Sequence, residues 1–308
     1  MSFADRLDAA VRAVKNPCLV GIDPHVDLLP PEFEAARDAR APRAERAAEV
    51  QRFCTELIDV CASRVAAIKP QSAFFELFGA DGAVAWEAVV AHAHKKGLLV
   101  IGDVKRGDIA STAAAYASAL LEGLPGTDKD SLCDAITVNP YLGEDALQPF
   151  VEACARSGKG IYVLVRTSNP GSPRFQLRGD PPLAYEVADV VRALGAPLVG
   201  RSGWSSVGAV VGATHAAELC AFRERLPETP LLLPGYGAQG ATAADLAGAF
   251  PGPGPSGALV NSARGIAFAH RAGPHAGRPW KDAAAAALSD MIAEVGRALA
   301  ERPLRHAR

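Results

Sequence analysis

Short apolar runs alternate with amphipathic helical stretches eight times along this chain. The runs fall at 18–22, 65–68, 98–102, 135–139, 160–165, 207–213, 230–234 and 258–261. Each is mostly apolar or β-branched, as strands buried on both faces are. Helix-period stretches lie between them at 45–62, 83–96, 109–122, 145–157, 183–194, 216–225 and 243–250, and a last one at 282–302 closes the chain. Strands alternating with helices predict an α/β fold with a parallel sheet. Eight units fit a closed (β/α)8 TIM barrel better than an open doubly wound sheet. The sixth strand is the weakest of the eight, because Gly208 and Gly212 dilute it.

The length of 308 residues exceeds a typical barrel of about 250. The excess reads as additions to one barrel. These are a helix within 1–16, a Pro/Arg/Glu-rich excursion at 29–46, a turn-rich connector at 250–257, an irregular segment at 267–279 and the closing helix. None is long enough for a second domain, so a single domain over 1–308 is expected, with its core at 17–266.

Composition excludes other classes. Apolar residues make up 49% and the net charge is only −2, which rules out a disordered chain. No apolar run approaches the roughly 20 residues that span a bilayer, so no membrane partner is expected. Near balance between 32 basic and 34 acidic residues argues against nucleic acid as a partner. The six cysteines form no C-x-x-C pair and sit mostly in apolar contexts, which reads as buried free thiols in a reducing, cytoplasmic setting.

In barrels the loops after the strands carry function, so strand C-termini matter most. The third strand ends Asp103-Val-Lys105-Arg-Gly-Asp108. Side chains alternate faces, so Asp103 and Lys105 point together into the barrel. With Asp108 at the start of a helix, two carboxylates bracket one ammonium and favour its protonated form, which suits a general acid. A plainer reading makes Asp108 a helix cap and Asp103–Lys105 a paired ion. The first strand ends at Asp23, the second at Lys69, the fourth at Asn139 and the fifth in Arg166-Thr-Ser168-Asn. Asp23, Lys69, Asp103 and Lys105 thus surround one mouth.

The motif Gly235-x-Gly237-x-x-Gly240 follows an apolar strand, as in dinucleotide folds, but no acidic residue stands about 20 positions on. As the seventh loop of a barrel it reads instead as a phosphate cradle, with Gln239 and Arg264 as candidate ligands. Metal sites look poor. His92 and His94 face different ways on one helix, and Asp23-Pro-His25-Val-Asp27 is broken by Pro24. No metal or other cofactor is expected.

Asp103-x-Lys105-x-x-Asp108-Ile-x-x-Thr112 resembles the signature of the orotidine 5'-phosphate decarboxylase family. Asp23, Lys69-Pro70, Pro234-Gly-Tyr-Gly-Ala-Gln239-Gly and Asn261-Ser-x-Arg264-Gly extend the match over about 18–266. Lys-Arg-Gly-Asp-Ile-x-Ser-Thr, the long first excursion and Val-Gly-Ala-Thr214 are similar to its longer-chain bacterial branch. The resemblance implies cofactor-free decarboxylation of orotidine 5'-phosphate to uridine 5'-phosphate in a homodimer. It implies that Lys105 protonates C6 and that Asp103 faces the substrate carboxylate. It gives Asp108 and Thr112 to the neighbouring subunit's site, Asp23 and Lys69 to the ribose, Ser168 to the pyrimidine amide, and Gln239 and Arg264 to the phosphate. The segment 170–180 then reads as a lid.

Rival readings share the barrel or its ligand. Related Mg-dependent sugar-phosphate decarboxylases and aldolases carry an acidic residue where this chain has Lys69, which would repel a cation. A Schiff-base aldolase needs a neutral lysine, which flanking aspartates disfavour. A barrel that only binds a phosphorylated ligand is the non-enzymatic alternative.

Overall fold

A computed structural model describes residues 1–213, 216–237 and 242–301. Its eight strands are β1 (Cys18–Ile22), β2 (Ala67–Pro70), β3 (Leu99–Arg106), β4 (Ala135–Val138), β5 (Gly160–Arg166), β6 (Val207–Val211), β7 (Leu231–Pro234) and β8 (Ala258–Ser262). All pair in parallel in chain order, and β8 returns to β1 through Leu19↔Asn261, closing the barrel expected from the sequence.

Strand alternation sorts the core into two layers. Cys18, Val20 and Ile22 face outward into the layer beneath the helices, as do Ile161, Val163 and Val165. Leu19, Ile101, Ala135, Tyr162, Val210, Leu232 and Leu259 face inward and meet Phe3, Leu7 and Val11 of the N-terminal helix, Phe3–Val14. That helix therefore plugs the lower end. Phe3 meets the Tyr162 ring edge-on at 6.2 Å between centroids. A side chain at Gly160 would run into Phe3 at 2.2 Å, so only glycine lets the plug seat. Arg6 ties the helix to buried Asp134 at 2.6 Å, and Asp134 also holds His94 at 2.9 Å. Burial pushes the Asp134 carboxyl up, but the bond from His94 and the charges of Lys159 and Arg6 outweigh it and hold the group well below the usual range.

The glycines that dilute β6 have a packing reason. The Tyr162 ring lies 2.5 Å from where a Gly208 Cβ would stand, and Ser168 lies 3.0 Å from that of Gly212. The C-terminal helix, Trp280–Ala300, covers the seam between the first and last units. Trp280 packs edge-on to Phe33 and tilted against Phe53, and donates to Glu32 at 2.6 Å. Tyr236, at the end of the seventh unit's strand, donates its hydroxyl to Glu294 of the same helix. The six cysteines are free, five of them buried, and burial pushes thiols such as Cys18 up to about 12. Among the described residues no helix is long and apolar enough to cross a membrane.

Some boundaries depart from the expectation. β2 runs to Pro70 and β3 to Arg106, beyond the ends of their apolar runs. At a barrel mouth the backbone stays extended while the side chains turn polar, so hydrophobicity alone ends these strands too early. The helix expected at 109–122 runs Ala110–Ala117 and then widens into a π turn, Ser118–Glu122. That expected at 243–250 is a short helix, Ala243–Leu246, followed by a 3-10 turn.

Candidate active site

The site is built on an irregularity of β3. Gly102 pairs with Ile136 and Arg106 with Val138, so four steps on β3 match two on β4. The surplus residues form a bulge, a device that re-aims side chains beside active sites. Lys105 adopts a left-handed φ of 43°, which costs a non-glycine residue roughly 1–2 kcal/mol.

Asp103 is 7% exposed and Lys69, on β2, 4%. Lys69 Nζ lies 2.5 Å from Asp103 Oδ2, and Lys105 Nζ lies 2.5 Å from Oδ1. Burial alone would push the Asp103 carboxyl up, but Lys69 and Lys105 outweigh it and hold the group well below the carboxylate range. Burial works against the Lys69 ammonium, yet Asp103 and Asp23 hold it above the ordinary lysine value. Asp23 differs. Burial, reinforced by Asp103, raises its carboxyl against the pull of Lys69, His25 and Lys105. Its Oδ1 is buried and has no hydrogen-bond partner among the described residues.

Two lysines thus bracket one carboxylate, within the alternating Asp/Lys array expected around the mouth. Asp108 forms no ion pair with Lys105 among the described residues. Its carboxylate accepts the N–H of Ile109 at 2.8 Å, outside the helix, which has no side-chain cap. Thr112 lies exposed on the first turns of that helix, near exposed Ile109. Ser168 lies just beyond β5, packed against Gly212. Arg264 is exposed at the start of the short helix Arg264–Ala267 after β8. Gln239 and Thr214 lie outside the described residues. Asn139 takes the plainer role of a turn residue, accepting the N–H of Tyr141 at 3.0 Å.

The segment 170–180 is knitted to the end of β5. Buried Arg166 donates to Ser172 Oγ at 2.6 Å and pairs with Glu218 at 2.7 Å. Gln176, on the short helix Pro173–Gln176, accepts the Thr167 N–H at 2.9 Å.

Two residues of the mouth were given no role by the sequence: Thr137 was not singled out, and Asn261 stood only within the strand-eight motif. Thr137, 1% exposed on β4, donates its hydroxyl to Asp103 Oδ1 at 3.0 Å and accepts the Lys105 N–H at 2.9 Å. A lone hydroxyl within Ala-Ile-Thr-Val was the available signal. Asn261, buried on β8, has a side-chain oxygen without a partner among the described residues. A hypothetical Cβ on Gly21 would come within 3.2 Å of that oxygen, so Asn261 shares the inward face of β1 that Asp23 ends. Buried acceptors without a protein donor are satisfied by water, an ion or a bound ligand.

Comparison with known proteins shows the family. Residues 34–275 match the family model described as orotidine 5'-phosphate decarboxylase / HUMPS family. An orotidine 5'-phosphate decarboxylase of Rhodopirellula baltica is 44% identical over 273 residues, 88% of this chain and 90% of its own. One from Halobacterium salinarum is 41% identical over 312 residues, covering 99% and 100%. The solved OMP decarboxylase of Leishmania donovani superposes with a TM-score of 0.70 at 32% identity, over 97% of this chain and 99% of its own. The chain belongs to the orotidine 5'-phosphate decarboxylase family.

Proposed function

We propose that this mouth decarboxylates orotidine 5'-phosphate to uridine 5'-phosphate in pyrimidine synthesis, with no cofactor and with Lys105 as the acid. The observation that carries the reading is the Lys69–Asp103–Lys105 array. When the C6–carboxylate bond breaks, CO2 leaves and the electron pair stays on C6. The pyrimidine ring offers that carbanion little delocalisation. The Lys105 ammonium beside C6 stabilises the charge as it develops, then transfers a proton from Nζ and is reprotonated by solvent. Because Asp103 anchors it, the ammonium needs no reorganisation during reaction. Asp103, fixed as an anion, faces the departing carboxylate. Asp23 and Lys69 take the ribose, Ser168 the pyrimidine amide, and Gln239 and Arg264 the phosphate, whose binding energy is used at the remote reacting carbon. A cationic Lys69 disfavours the Mg-dependent sugar-phosphate reading.

The active unit is a homodimer in the cytoplasm, each mouth receiving Asp108 and Thr112 of its neighbour. Among the described residues Lys105 pairs with a single carboxylate, Asp103, which leaves room for a second from outside. Ile109 and Tyr141, beside the mouth, are 55% and 78% exposed, an apolar rim suited to a neighbouring subunit. Turnover in D2O tests the chemistry. Product deuterated at C6, with no product from Lys105→Ala, is expected. Product formed at an undiminished rate by Lys105→Ala would overturn the role of Lys105.

A further inference from the structure

We propose that Thr137 is a positioning residue for this decarboxylation, its hydroxyl locking the β3 bulge that holds Lys105 against Asp103. The inference rests on the reaction assigned above. Within the bulge the backbone departs from ladder pairing with β4. The Lys105 N–H is directed instead to Thr137 Oγ1 at 2.9 Å. An ionised Asp103 only accepts, so the hydrogen bond at 3.0 Å must run from the Thr137 hydroxyl to Oδ1. One hydroxyl therefore accepts from the backbone of Lys105 and donates to the carboxylate that pairs with the Lys105 ammonium. Both ends of that lysine are referred to the same atom. Thr137 is 1% exposed, so water does not readily replace it.

The left-handed φ of 43° at Lys105 gives the contact its purpose. A non-glycine residue holds such a conformation only where its surroundings over-determine it. Without the hydroxyl, the N–H loses its acceptor and Asp103 one of its donors. The bulge is then free to relax toward ordinary strand geometry, moving the ammonium away from C6.

The experiment is steady-state kinetics of the full-length protein with three substitutions. Thr137→Val keeps the shape and removes the hydroxyl. It is expected to lower kcat about 10- to 100-fold, the scale of an ångström-level misplacement, with little change in KM or in uridine 5'-phosphate binding. Thr137→Ser retains the hydroxyl and should recover most of the loss. If Thr137→Val does not fold, Thr137→Ala against Thr137→Ser makes the same comparison. Wild-type kcat in the hydroxyl-free variant, or equal losses in Ser and its hydroxyl-free counterpart, would overturn the proposal. So would a loss confined to KM. Wild-type protein is assayed alongside. Its failure to turn over orotidine 5'-phosphate would refute the assigned reaction, a result distinct from failure of the Thr137 role.

Discussion

The Lys105 ammonium lies 2.5 Å from Oδ1 of Asp103, a residue only two positions earlier on the same strand. Along a regular strand such positions are roughly 6.6 Å apart, a gap that the long, flexible lysine side chain closes by folding back on the carboxylate. The same carboxylate holds Lys69 by its other oxygen, at 2.5 Å. Asp103→Asn therefore removes the carboxylate that pairs with the Lys105 ammonium and with Lys69 among the described residues. We predict a fall in kcat of at least about 10²-fold, the scale for losing one preorganised electrostatic group. Stability should fall by about 3–5 kcal/mol, because Lys69 is left as a buried charge without its closest partner. Urea unfolding monitored alongside activity checks both. A variant as stable as wild type would show that the array contributes nothing to the fold.

Asp23 is predicted to behave oppositely. Burial raises its carboxyl, and Oδ1 has no donor among the described residues. For an acid whose folded value is raised, stability declines as pH rises through the unfolded value of about 4. Asp23→Asn removes that decline, so at pH 7 the variant should be as stable as wild type or more so. Its kcat/KM should nevertheless fall, because a ribose contact is lost. Thermal unfolding at pH 4 and pH 7 with parallel kinetics decides. Marked destabilisation at pH 7 would contradict the assignment of Asp23 to ligand rather than fold.

Sharing of sites between subunits has its own test. If Asp108 acts across the interface, Lys105→Ala and Asp108→Asn homodimers are each impaired, but a hybrid has one mouth with neither substitution. Mixing the two after dissociation should restore about a quarter of wild-type activity, since half the dimers are hybrids with one intact site. No recovery after verified subunit exchange would count against a shared site.

At the opposite end of the barrel, His94 gives a pH dependence unrelated to catalysis. Burial works against its charged form, but the bond to Asp134 outweighs it and raises the group. For a base whose folded value is raised, the contribution is fully present below the unfolded value of about 6.5 and fades as pH climbs through the folded one. Wild-type stability should drop between pH 5.5 and 8.5 by more than that of His94→Gln, measured by urea unfolding. Equal drops would show that the His94–Asp134 pair does not support the N-terminal plug.

The barrel was legible because eight strands buried on both faces leave eight continuous apolar runs, and because the polar residues ending them stand out. Asp23, Lys69, Asp103 and Lys105 were found that way. The bulge was not legible. Two-residue alternation puts Asp103 and Lys105 on one face but carries no sign of a left-handed φ at a lysine. Thr137 was missed because threonine is an ordinary strand residue until its hydroxyl is seen between Asp103 and Lys105. The glycines of β6 weakened that strand on paper for a reason that lies elsewhere in the chain, in Tyr162 and Ser168 packed against them.

Cofactor-free turnover at the Asp/Lys array is the step on which every other assigned role depends. Its most direct test follows the loss of orotidylate absorbance with purified wild-type protein in EDTA, beside Lys105→Ala under the same conditions. The account predicts undiminished turnover by the wild-type protein in chelator and none detectable in the variant. Absence of turnover, or turnover abolished by EDTA and restored by a divalent cation, would contradict it.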